Sequence, residues 1–159
     1  MADSSFTCLS FLEDETCKLF ELMVRRADDA ETSLLLDIIL QETRKHRELL
    51  KHVSIIFGEN AIASGNECNG MGEWFMQAVA LTRAVKAEVQ RGMSIPDAAR
   101  RLISFEKDVG EEYVTQAHAA ASALTQENQA VKTVLENIAT DEKGHAEILD
   151  LVTQIGLKK

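Results

Sequence analysis

The chain has 159 residues, with 17 Lys and Arg against 26 Asp and Glu, for a formal charge of −9 with histidine neutral. A chain of this length buries roughly 70% of its unfolded surface and is expected to hold its core as one domain, and an acidic chain with no basic stretch beyond Arg25-Arg26 and Arg100-Arg101 is unsuited to neutralising phosphates, which argues against nucleic acid as a partner. Cys8, Cys17 and Cys68 are odd in number, scattered and free of any Cys-x-x-Cys pair, so neither a disulfide framework nor a cysteine-held zinc or iron centre is predicted. The first residues form no basic and apolar leader, and no apolar run approaches ~20 residues, so the expectation is a soluble cytoplasmic protein with no membrane partner.

One proline and eight glycines leave little punctuation, and apolar residues recur at three and four, the period of a helix. Leu9, Leu12, Thr16, Leu19, Phe20, Met23 and Ala27 share a face and predict a first helix over 6–26, broken at Asp28-Asp29. Leu35, Ile38, Ile39, Leu49, Leu50, Val53 and Ile56 predict a second over 30–57, about 40 Å long and suited to an antiparallel hairpin. Residues 58–72 hold four of the eight glycines and three asparagines and read as the one long loop. Trp74, Phe75, Ala78, Leu81, Val85 and Val89 mark a third helix over 73–91 that crosses the others, with Trp74, Phe75 and Met76 as its packing residues. Ser94 caps a fourth over 95–123, with Pro96 in its first turn and Asp97 complementing its N-terminus; its stripe is Ala99, Leu102, Ile103, Val109, Tyr113 and Ala117. Thr125 caps a fifth over 126–156, carrying Val131, Val134, Leu135, Ile138, Leu149 and Val152. The expectation is an all-α single domain, an antiparallel four-helix bundle with one added crossing helix: hairpin 6–57, loop 58–72, crossing helix 73–91 and hairpin 95–156.

Burying a carboxylate or imidazole without a partner is costly, so polar residues within these stripes call for a reason. At about 100° per residue, Glu142 and His145 lie about 60° apart astride the line through Val131, Leu135, Ile138, Leu149 and Val152. Glu42 and His46 lie about 40° apart astride the line through Leu35, Ile39, Leu49 and Val53. Glu106 sits among Leu102, Ile103, Val109 and Tyr113, and Glu13 beside Leu9, Leu12, Thr16 and Phe20. Glu106 lies too far inside its expected helix for a capping role, but the others have a plainer local explanation. Glu13 closes a capping box if the first helix begins at Ser10, and each Glu–His pair is a surface pair if its face is misplaced by one residue. Four helices each sending acid inward, two of them with a histidine, favour one shared metal site over four separate misplacements.

Carboxylates and imidazoles converging from bundle helices suit iron or manganese. One bundle arrangement takes a Glu from each of two helices and a Glu-x-x-His from each of the other two. Glu142-Lys-Gly-His145 has that spacing, whereas the residue three before His46 is Thr43. Seven residues separate Glu13 from Phe20 and Glu106 from Tyr113, and His46-Arg-Glu-Leu-Leu50 parallels His145-Ala-Glu-Ile-Leu149, which implies two copies of one helical hairpin.

The segments Glu13-Asp-Glu-Thr-Cys-Lys-Leu-Phe20, Leu40-Gln-Glu-Thr-Arg-Lys-His-Arg-Glu-Leu-Leu50, Phe105-Glu-Lys-Asp-Val-Gly-Glu-Glu-Tyr113 and Ile138-Ala-Thr-Asp-Glu-Lys-Gly-His-Ala-Glu-Ile-Leu149 resemble the rubrerythrin-like branch of the ferritin-like superfamily. The resemblance implies a carboxylate-bridged di-iron centre, with Glu13 and Glu106 as terminal carboxylates, Glu142 as a bridge, and His46 and His145 as nitrogen ligands. Family members use such centres for ferroxidase, peroxidase or oxygen chemistry. Thr43 stands where the second bridging glutamate belongs, and Glu42, one residue earlier, is the substitute with a different reach. Val109 replaces a further carboxylate, and the C-terminal four-cysteine module is missing, so a peroxidase with an internal electron relay is not expected. Occupancy by two metals, one or none stays open at this point.

Three functional expectations follow. The first is a ferritin-like protein that binds iron, or another transition metal such as manganese, through Glu13, Glu42, His46, Glu106, Glu142 and His145 and reacts with oxygen or peroxide. The second is a non-enzymatic helical bundle, a homodimer or partner-binding module, with the same groups in a buried network. The third is a metal-dependent oxidase of an organic substrate. Cys17 is expected to be a small residue at the core edge rather than a redox partner.

Overall fold

The computed structural model describes residues 5–62, 64–105, 115 and 128–159. Every regular element among them is helical: α1 Ser5–Arg26, α2 Ala30–Ile56, a 3-10 helix Gly65–Met71, α3 Glu73–Gln90, α4 Ile95–Phe105 and α5 Gln129–Leu157. Contacts divide the chain into two compact units, Met1–Ile95 and Pro96–Lys159.

In the first unit α1 buries Phe6, Leu9, Glu13, Phe20 and Met23 along one line, the three-and-four spacing that keeps a helical face toward a neighbour. It ends on Arg25 and Arg26, which complement the negative end of the helix dipole. The break at Asp28-Asp29 is the start signal for α2. Asp29 caps it, one carboxylate oxygen accepting from the Thr32 amide at 2.8 Å and the other from the Thr32 hydroxyl at 2.8 Å. The two helices run antiparallel, because residues early in α1 meet residues late in α2. Phe6 stacks on Phe57 with ring centroids 5.3 Å apart, the Ser10 hydroxyl donates to the Arg47 carbonyl at 3.0 Å, and Glu21 pairs with Arg44 at 3.0 Å. The third helix of the unit, α3, buries Phe75, Ala78, Thr82, Val85 and Val89. Arg83 ties it to α1, pairing with Glu15 at 2.9 Å and lying 5.7 Å from the centroid of the Phe11 ring.

Three readings of the first unit need correction. The segment 58–72 contains a 3-10 helix rather than loop alone, with the Ser64 amide donating to the Glu67 carboxylate at 3.1 Å. Cys8 and Cys68 form a disulfide across a Cα separation of 5.7 Å. Sixty residues apart in sequence, they come within bridging range only because the 3-10 helix packs on the first turns of α1. The buried line of α2 runs through Leu36, Ile39, Thr43, His46, Leu50 and Val53, while Ile38 and Ile56 are exposed. The run Leu34-Leu35-Leu36 satisfies several helical phases at once, and packing against α1 selected one slightly rotated from that read off Leu35 and Ile38.

Helix α4 starts at Ile95, the last residue of the first unit, and continues into the second, with Pro96 and Asp97 in its first turn and Asp97 paired to Arg100, as its start signal requires. Its buried residues include Ala98, Ala99 and Leu102. Glu106, Val109, Tyr113 and Ala117 of the expected fourth helix, and the Thr125 cap, lie outside the described residues. In α5, Val131, Leu135, Ile138, His145, Leu149 and Val152 are buried. Its last turn lies so close to the start of α4 that a Cβ on Gly156 would sit 2.5 Å from Pro96 Cγ. No described helix is long and apolar enough to cross a membrane.

Candidate metal centre

Antiparallel packing of α1 on α2 sets Glu13 opposite His46. Both are buried, at 3% and 0% exposure, and Glu13 Oε1 lies 3.7 Å from His46 Nδ1. Helix α1 begins at Ser5, five residues before Ser10, and the Ser10 hydroxyl is engaged with the Arg47 carbonyl. A capping box therefore does not explain Glu13. A carboxylate removed from water at a cost of several kcal/mol needs compensation, and an imidazole is what it faces.

The second unit carries a pair built within one helix. Positions 131, 135, 138, 142, 145, 149 and 152 of α5 alternate steps of four and three, so Glu142 and His145 continue the apolar line. His145 is buried and Glu142 half-buried, with His145 Nδ1 at 3.5 Å from Glu142 Oε2.

Both separations exceed ordinary hydrogen-bond length. Two ligands each about 2.1 Å from an ion and a tetrahedral angle apart lie about 3.4 Å from one another, so each pair is spaced as two donors to one ion are. Glu13, His46 and Glu142 are carboxylate and imidazole donors of the kinds that hold a metal.

The remaining candidates divide differently. Thr43, not Glu42, occupies the buried line of α2, at 1% exposure, and its hydroxyl donates to the Ile39 carbonyl at 2.7 Å. Glu42 is half-buried, one residue off that line. Spacing from Leu35 set Glu42 beside the line, whereas the rotated phase through Leu36 sets Thr43 on it. Glu106 lies outside the described residues.

Neighbouring acids on α1 are engaged otherwise. Burial raises the Asp14 carboxyl, but hydrogen bonds and charge from Lys18 and Arg47 outweigh it and hold the group below its ordinary value. Glu15 behaves likewise, burial being outweighed by Arg83 and Lys18. Both acids are neutralised by cationic side chains, whereas Glu13 faces an imidazole. The Cys17 thiol is pushed up to about 11, chiefly by burial against the lowering pull of Arg47. It stays protonated near neutrality, and a protonated thiol is a poor ligand. The Arg83–Glu15–Phe11 contact is invisible in the sequence, since its partners are 68 residues apart for the ion pair and no periodicity links separate helices. No protein family, curated protein or solved structure matches this chain.

Proposed function

We propose that this chain is a metal-binding helical protein with Glu13–His46 and Glu142–His145 as its ligand pairs, Glu106 as a further carboxylate, and a plan similar to the rubrerythrin-like four-helix bundle with a crossing helix. The observation that carries the reading is that each pair sets a carboxylate oxygen and an imidazole nitrogen 3.7 and 3.5 Å apart, with both imidazoles buried. Mixed oxygen and nitrogen donors suit iron, with manganese next. A carboxylate-bridged pair of irons is disfavoured, because Thr43 replaces the second bridge and its hydroxyl is spent on Ile39.

A bound iron ion supplies redox chemistry toward oxygen or peroxide. The chain's own part is to present ionised Glu13 and Glu142 and the neutral forms of His46 and His145 from rigid helices, so binding strengthens as pH rises and protons leave the imidazoles. Cytoplasmic residence is part of the proposal and carries a condition. A disulfide in that compartment is usually a redox-sensing or catalytic one, which bears on Cys8–Cys68.

The test is anaerobic titration of the oxidised protein with ferrous iron, followed by elemental analysis. Wild type should bind, and Glu142→Ala and His46→Ala should each weaken binding. Metal content and affinity unchanged in both variants would sink the assignment and leave the groups as a buried polar network.

A further inference from the structure

The segment joining α2 to α3 grips the N-terminal end of α1 at four points. Phe57 stacks on Phe6 at 5.3 Å. The Glu59 carboxylate accepts from the Phe6 amide at 3.2 Å, the Thr7 amide at 2.9 Å and the Thr7 hydroxyl at 3.1 Å, and so caps α1 from 53 residues away. Gly65 lies so near the Phe11 ring that a Cβ there would be 3.0 Å from Phe11 Cε1. The Cys8–Cys68 bond is the fourth point and the only covalent one. A stacked ring pair and a terminal cap are individually weak, so the covalent link dominates the grip.

We propose that the Cys8–Cys68 bond is a redox latch. Closed, it fixes the position of α1 along α2; opened, it releases the segment between α2 and α3 and loosens the spacing of Glu13 from His46. The coupling to that pair rests on the metal-binding reading above, while the latch itself does not. Glu13 is five residues beyond Cys8, about 7.5 Å along a continuous helix, so a shift at the gripped end carries to the acid without an intervening hinge. The reductant is a dithiol. Its thiolate attacks one sulfur of the bond to give a mixed disulfide, and its second thiol then closes a cyclic disulfide and expels the remaining cysteine thiolate. Two electrons pass to the cysteine pair, the dithiol is oxidised, and its two protons end on Cys8 and Cys68. Both cysteines are 1% exposed, so attack requires the segment to lift first and the bond resists casual reduction.

The experiment compares oxidised wild type, wild type reduced with dithiothreitol and desalted without oxygen, the Cys8→Ala/Cys68→Ala double variant, and a Cys17→Ser control that keeps the bond. Hydrogen exchange needs no metal. Amides of residues 5–11 and 64–71 should exchange about tenfold faster in the reduced protein and the double variant, with α5 and the Cys17→Ser control unchanged. Ferrous affinity should fall about tenfold on reduction, the low end of typical coupling between sites. Three free thiols in the air-oxidised native protein, or identical exchange in the oxidised and reduced forms, overturns the latch. Faster exchange with unchanged iron affinity overturns the coupling. Faster exchange in a protein that binds no iron in either state upholds the latch and refutes the metal reading instead. If the double variant fails to fold, the chemically reduced wild type decides the matter.

Discussion

Replacing Cys8 and Cys68 together by alanine removes a cross-link that closes a 60-residue span of chain. In the chain-entropy account the lost constraint on the unfolded state is about 14 cal/mol/K for a loop of that size, or about 4 kcal/mol at 25 °C. That is a large share of the 5–15 kcal/mol by which domains are ordinarily stable. With a urea dependence of about 2 kcal/mol/M, the midpoint should fall by about 2 M. Fluorescence of Trp74, the single tryptophan, reports on the unit that contains the bond and separates its unfolding from that of the second unit. The Cys17→Ala variant, which leaves the cross-link intact, controls for loss of a buried thiol. A fall below about 1 kcal/mol in the double variant, with the wild type verified as oxidised, would refute the argument, since no native disulfide closing so long a loop should be that cheap to lose.

Gly156→Ala adds a Cβ that would sit 2.5 and 2.8 Å from Pro96 Cγ and Cβ. The gain in helix propensity of about 1 kcal/mol is offset by overpacking of about 1–3 kcal/mol, so thermal unfolding of the second unit should move down rather than up. Thr43→Glu places a carboxylate on the buried line three residues before His46. It should lower the stability of the metal-free protein and raise the iron stoichiometry toward two per chain, whereas Glu42→Ala, off that line, should leave stoichiometry unchanged; anaerobic titration reads both. Glu15 is held below its ordinary value of 4.5 in the folded chain, so its contribution to stability is present above pH 4.5 and is lost as pH falls through the lower folded value. Arg83→Met removes one of the two cations responsible, and denaturant midpoints measured from pH 6 to pH 3 should then fall less steeply than in the wild type.

Much of this protein is readable without its tertiary structure. Helix locations follow from the three-and-four recurrence of apolar residues and from the start signals at Asp29 and Pro96, which are properties of neighbouring residues and need no distant partner. The same periodicity places Glu13, His46 and His145 on buried faces, because position on a helical stripe depends only on spacing. Clusters of similar residues defeat it. In α2 the run Leu34-Leu35-Leu36 leaves the phase open by one residue, and that residue is the difference between Thr43 and Glu42 on the buried line.

What the tertiary structure alone decided concerns partners far apart in sequence. Nothing in the spacing of three scattered cysteines marks Cys8 and Cys68, and not Cys17, as the bonded pair, and nothing local announces that Glu59 caps α1 or that Arg83 reaches Glu15 and Phe11. Each of these depends on the register in which one helix or turn lies against another. Helical phase is set by backbone hydrogen bonds over four residues and is therefore written in the local sequence; register between elements is set by how whole side-chain surfaces interlock, and it exists only once the surfaces meet.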